Sequence, residues 1–268
     1  MDTGPKSLGD ELEAFVRDQA SRFGEVISYV PAKRIAPITS TTTAAATSET
    51  SMSAPSQNLG SGSIRLEELN ELLAVHKGES WTSTTTLAEL EHSIADCQKC
   101  ALGATRNKLV FGVGSPHAKV MVIGEAPGAD EDEKGEPFVG KAGQLLTKML
   151  AAINFSREEI FIANILKSRP PNNRDPKPEE VAACEPYLWK QIALIQPKFI
   201  LCFGRVAGLN LLKLKPEPLA KMRGNMYDFH GVQVMVTYHP AALLRNPDWK
   251  TGAWEDLQQF RRLYDASL

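Results

Sequence analysis

Three stretches carry side chains that can act together on a ligand. The longest, Gly124 to Leu146, reads GEAPGADEDEKGEPFVGKAGQLL and sets Glu125, Glu131 and Phe138 in a loop whose glycines bend easily and whose prolines stiffen the turns. The second, NILKSRPPNNR, runs from Asn164 to Arg174. Its asparagine offers donor and acceptor together, the pattern that reads the edge of a base. Lys167, Arg169 and Arg174, separated by prolines, read as a rigid basic rim for phosphates. The third, YHPAALLRNP, spans Tyr238 to Pro247 and places His239 before an apolar run, Ala241 to Leu244, that ends in Arg245. An apolar tip beside a cation suits insertion into a base stack. Each stretch has a plainer reading, as an acidic surface turn, a turn-capping Asn and a structural His. All three follow apolar runs, however, and a shared sheet edge would bring them to one place.

The four cysteines form a second group. Cys97 and Cys100 make a C-x-x-C pair, Cys184 falls in an expected helix, and Cys202 lies in the strand after it. Together they supply the four sulfurs of a metal centre, and both zinc and a 4Fe-4S cluster fit that count. Their irregular spacing suits a cluster better than a zinc ribbon. Buried apolar thiols are the alternative. In either case the expected role is structural, tying residues 97 to 100 to the main sheet.

The elements that must position these groups alternate. Apolar runs at Val120–Ile123, Ile160–Ile165 and Lys198–Gly204 read as buried strands, and MYDFHGVQVMVTY reads as a hairpin. Helical spacing is found over 87–96, 141–153, 179–195, 206–212 and 248–264. Alternating strands and helices predict an α/β fold, a parallel sheet between helical layers, whose ligands sit at the carboxyl ends of its strands. Ahead of this domain (87–268) the sequence predicts a helical extension over 1–34, with amphipathic spacing in 8–23. A disordered linker follows over 35–63, then a short helix and connection over 64–86.

The chain has 268 residues, 43% of them hydrophobic, and a formal charge of -2. Residues 1–80 hold 7 of the 30 Lys and Arg and 11 of the 32 Asp and Glu, so the remainder carries 23 basic against 21 acidic residues. That balance is too slight to mark a nucleic-acid binder, so DNA contacts must come from local clusters. No apolar run approaches the ~18 residues of a membrane span, and the N-terminus lacks a secretory pattern. A cytoplasmic protein with reduced cysteines is expected. The glycine patterns LGSGS and FGVGS lack the strand-to-helix setting of a dinucleotide site.

Taken together, GEAPG, PFVGKAG, the N-x-x-K-x-RPP-x-NR stretch, HPAALLR and the four cysteines resemble the family 4 uracil-DNA glycosylases, over roughly residues 87 to 265. The resemblance implies a three-layer α/β/α sandwich with a central, mainly parallel four-stranded sheet, a 4Fe-4S cluster on Cys97, Cys100, Cys184 and Cys202, and hydrolysis of the N-glycosidic bond of deoxyuridine. It implies Phe138 as the stacking aromatic, Asn164 as the base-reading amide and His239 as the leaving-group histidine. Glu125, Ala126 and Gly128 fall in the motif on the water side. Glu125 is taken as the catalytic carboxylate, with sugar binding and loop bracing as its other open roles, and Glu131 as the group that excludes the methyl of thymine. Lys167, Arg169, Arg174 and Arg245 are expected to hold DNA, and Leu243 or Leu244 to fill the vacated stack. A related branch that bonds covalently to DNA carries Gln where this chain has Ala126, so turnover is expected. The expected partner is uracil-containing DNA, single- or double-stranded, bound by a monomer, with a replication or repair protein docking on the N-terminal helices. The competing reading is a metal-braced DNA-binding or interaction module without catalysis.

Overall fold

The computed structural model describes residues 64–268; the expected helix at 8–23 and linker at 35–63 lie outside them. Six strands form one sheet: β1 (Val113–Gly114), β2 (Val120–Gly124), β3 (Phe161–Asn164), β4 (Phe199–Phe203), β5 (Met226–Phe229) and β6 (Val232–Thr237), in the order β1-β3-β2-β4-β6-β5. The inner four, β3-β2-β4-β6, are parallel, and β5 with β6 forms the hairpin that the sequence predicts. Antiparallel β1 and β5 extend the sheet at its two edges. β1 falls within FGVGS, where the sequence reading places no strand, because two residues give no alternation to detect.

Every residue of β2, β3 and β4 is buried, as expected of strands covered on both faces. Two helical layers provide that cover. On one side α1 (Leu66–Ala74), α2 (Leu87–Ile94), the long α5 (Pro178–Ile195), α6 (Arg205–Leu212) and α7 (Leu219–Met222) share one core cluster with Met121, Ile123, Ile200 and Cys202. α2 starts on Thr86, whose hydroxyl accepts the Glu89 N–H at 3.2 Å. α5 starts on Pro178, where a missing N–H costs nothing. The other side is covered by α4 (Lys141–Ala152) and the terminal α9 (Lys250–Ala266), where Phe260 meets Phe199 edge to face.

Residues 64–86, set apart in the sequence reading, pack into the same core. Leu69, Leu73 and Trp81 are buried there with the sheet residues, and Lys190 on α5 donates to the carbonyl of Thr82 at 2.9 Å. Among the described residues no helix is long and apolar enough to cross a membrane. From β2 the chain runs outward to β3, then returns to the far side of β2 as β4, so the sheet reverses direction beside β2. Ligands of open α/β sheets bind at such a reversal.

Candidate active site

The carboxyl ends of β2, β3, β4 and β6 open into one cavity of about 620 Å³. Glu125 follows β2 and faces it, together with Gly128 and Glu131 of the turn into α3 (Ala129–Lys134). Register pairs Gly124 with Asn164, which brings the two strand ends side by side. A Cβ on Gly124 would stand 2.4 Å from Asn164 Oδ1 and 2.6 Å from Phe138 Cζ, so only glycine lets all three approach. Asn164 is 2% exposed, and its Oδ1 has no hydrogen-bond partner among the described residues. A buried acceptor left open is costly unless a ligand completes it.

Phe138 is held by strain and bracing together. Its φ is 55°, a left-handed conformation that a bulky residue adopts only when its surroundings impose it. Arg157 supplies part of that imposition, donating to the carbonyls of Phe138 at 3.2 Å and Pro137 at 2.9 Å. The ring lies 5.6 Å from that of His239, tilted by 31°. Glu131 braces the same loop, accepting the N–H groups of Gly128 at 3.1 Å, Val139 at 2.9 Å and Gly140 at 2.9 Å. Its carboxylate therefore joins the start of α3 to the start of α4 and stands as a fixed wall of the cavity.

His239 caps α8 (Pro240–Arg245). Its Nδ1 accepts the Ala241 N–H at 3.1 Å, which leaves the ring proton on Nε2. Burial lowers its pKa to about 4, with Arg245 adding to the fall and Glu131 opposing it. At neutral pH the ring is therefore an uncharged donor. Burial moves Glu125 the other way, up to about 7, with Asp175 raising it further and Arg205 lowering it. Near neutral pH one group is thus an uncharged donor and the other sits at the edge of ionisation.

The family model for the Uracil DNA glycosylase superfamily matches residues 111–258, more than half of the chain and every strand end around this cavity. The chain belongs to the uracil-DNA glycosylase superfamily. It is 44% identical to the type-4 uracil-DNA glycosylase of Archaeoglobus fulgidus over 185 residues, 66% of this chain and 93% of that protein. It is 45% identical over 181 residues to the type-4 enzyme of Pyrobaculum aerophilum, covering 65% and 92%. The type-4 enzyme of Saccharolobus solfataricus is likewise 45% identical over 181 residues, covering 65% and 82%.

In this superfamily member the expected DNA rim is only partly in place. Lys167 is 1% exposed, so it is no phosphate ligand; its ammonium donates to the Asn164 carbonyl at 2.9 Å and to Gln191 Oε1 at 2.7 Å. Burial lowers it to about 8, and the neighbouring Cys184 opposes that. Leu243 is also withdrawn: on α8 it shares the inward face with Pro240 and is 2% exposed, so it forms no projecting tip. Leu244 is half-buried, and Ala241, Ala242 and Arg245 face the cavity. Arg174 lines the cavity but is bound to Glu180 through two contacts of 2.9 and 2.6 Å, and Arg169 bonds Asn173 at 2.8 Å. These two arginines brace their loop. The sequence reading missed Lys141 and Arg205 at the cavity wall, although Arg205 follows the end of β4 by the logic that singled out Glu125.

The cysteines gather on the α5 side of the sheet. Cys184 and Cys202 are buried in one core cluster, and Cys97 and Cys100 pack against it. Cys184 Sγ accepts the main-chain N–H of Lys167 at 3.1 Å, and Cys97 Sγ lies 3.2 Å from the Tyr187 hydroxyl. Burial pushes the Cys184 thiol up to about 12; Lys167 pulls it back, and the nearby Cys100 and Cys97 add to the rise. Among the described residues no three His, Cys, Asp or Glu side chains are closed around a metal position. The donor set is nevertheless all sulfur and carries an N–H···S bond, which fits an iron or zinc centre in its chemistry.

Proposed function

We propose that the chain is a uracil-DNA glycosylase that takes uracil out of DNA and hydrolyses its N-glycosidic bond, leaving an abasic site for base-excision repair. The observation that carries the reading is the buried Asn164 amide with its open Oδ1 at the floor of the cavity. A base inside a duplex cannot reach that depth, so it must leave the stack at a cost of a few kcal/mol. Phe138 stacks on the extruded ring without regard to its identity. Asn164 supplies the choice: Oδ1 accepts uracil N3–H and Nδ2 donates to O4, whereas cytosine presents an acceptor and a donor in the reverse order. Thymine differs by one methyl, and the rigid Glu131 wall is our candidate for the group that excludes it.

Breaking the C1′–N1 bond leaves both bonding electrons on uracil and positive charge on the sugar. His239 Nε2–H donates to uracil O2 and stabilises that anion; a preorganised donor of this kind contributes about 3 to 4 kcal/mol. Glu125, when ionised, orients the water that bonds to C1′ and takes its proton. Lys141, Arg205 and Arg245 line the cavity and would hold phosphates, and Leu244 would fill the gap left in the stack. Ala126 leaves that position without a side-chain amide, which accords with turnover. The four cysteines would hold the 4Fe-4S cluster, with zinc as the alternative; when bound, such a centre cross-links segments of the fold.

A uracil-containing oligonucleotide, incubated with purified protein and then cleaved by alkali at abasic sites, tests the proposal. Strand scission is expected with both single-stranded and duplex substrates. Intact strands from metal-replete protein would instead leave a DNA-binding module without catalysis.

A further inference from the structure

Lys167 is 1% exposed and ranks among the largest fully buried side chains of the described residues. An ammonium out of water is costly, and a Leu or Met would fill the same space without that cost. Its neighbours show what the charge does. Nζ donates to the main-chain carbonyl of Asn164 at 2.9 Å and to Gln191 Oε1 at 2.7 Å. Gln191 in turn donates to the carbonyl of Phe111 at 3.0 Å, so its amide cannot turn away. The main-chain N–H of Lys167 rests on Cys184 Sγ at 3.1 Å. Cys184 and Gln191 are seven residues apart on α5 and therefore share one helix face. Both ends of Lys167 are thus anchored to one face of one helix, and its head grips the residue whose side chain floors the cavity.

We propose that Lys167 is a positioning residue that sets the base-reading amide of Asn164, by clamping its carbonyl to Gln191 and to the cysteine layer of α5. The proposal rests on the glycosylase reading above. Asn164 follows a register in which Gly124 stands directly beside it, and the gap to its Oδ1 admits no added atom. A small shift of its main chain therefore swings the amide out of line with uracil. Released from the clamp, Asn164 would hold uracil out of line and slow its excision, while the cavity and its charged wall remain.

A double-mutant cycle on single-turnover excision rates tests this, because residues that act through one another are not additive. Lys167→Met in otherwise unaltered protein is expected to slow uracil excision about tenfold or more, and to cost less than about threefold when Asn164 is already Ala. Its effect on Tm should be the same in both backgrounds, since packing does not depend on the Asn164 side chain. Equal losses of rate in the two backgrounds, or no loss in either, would overturn the proposal and leave Lys167 a filler. If Lys167→Met does not fold, Gln191→Met decides alone: it frees the lysine head, and its loss of rate must likewise shrink when Asn164 is Ala. Wild-type protein that excises uracil while the losses add defeats only the clamp. Wild-type protein that leaves uracil in place defeats the glycosylase reading and the clamp with it.

Discussion

Two side chains in the cavity depart from their ordinary protonation, and each departure has a consequence that can be measured. Burial lifts Glu125 to about 7, so its carboxylate form grows in as pH rises through neutrality. Burial drops His239 to about 4, so the neutral donor persists well into acid. The rate of excision is accordingly expected to climb through about pH 7, and Glu125→Gln should both lower the rate and flatten that climb. Stability should move in the opposite sense. A carboxyl whose folded pKa is raised binds its proton more tightly in the folded state, so its contribution is lost as pH rises from its unfolded value through about 7. Glu125→Gln should therefore raise Tm more at pH 8 than at pH 5, and a larger gain at pH 5 would contradict the burial of an ionisable group there. His239→Ala should slow excision about a hundredfold or more, the cost of one preorganised donor, while affinity for uracil DNA changes only a few-fold. Comparable losses of both would deny it the leaving-group role.

The elements that hold these groups are close-fitting, and a single added carbon can test the fit. Gly124→Ala would put a methyl into the Asn164 Oδ1 and Phe138 contacts at 2.4 and 2.6 Å. We expect a loss of about a hundredfold in excision, since displacements near 1 Å cost that much, with binding to uracil-free DNA unchanged. Glu125, Asn164 and His239 were legible in the sequence because each follows a run of buried apolar residues, and strand ends are where such sheets place ligands. Lys167 was not legible, because its two acceptors are contributed by Asn164 and by Gln191, which lies 24 residues further along. Residue type alone then predicts exposure. Leu243 was misread for a different reason: Ala-Ala-Leu-Leu is apolar at every position, and only the helix sorts it into an inward and an outward face. Arg157 went unnoticed because its acceptors are backbone carbonyls on a loop 19 and 20 residues away.

Across the whole molecule, the cysteines connect segments far apart in sequence: residues 97 to 100, helix α5 and strand β4 share one core cluster. If that layer holds a cluster, Cys184→Ser should abolish visible absorbance and bound iron together. Proteolysis between residues 86 and 113 should also become faster, while residual excision persists in the molecules that stay folded. Zinc in place of iron in colourless protein would assign the centre differently. The cavity at the sheet reversal is tested by the free uracil released from a uracil-containing oligonucleotide, counted against moles of protein. The geometry predicts uracil in excess over protein, no release from the same oligonucleotide carrying thymine or cytosine, and near-complete loss with Asn164→Ala. No free uracil, or release that ignores the identity of the base, would contradict it.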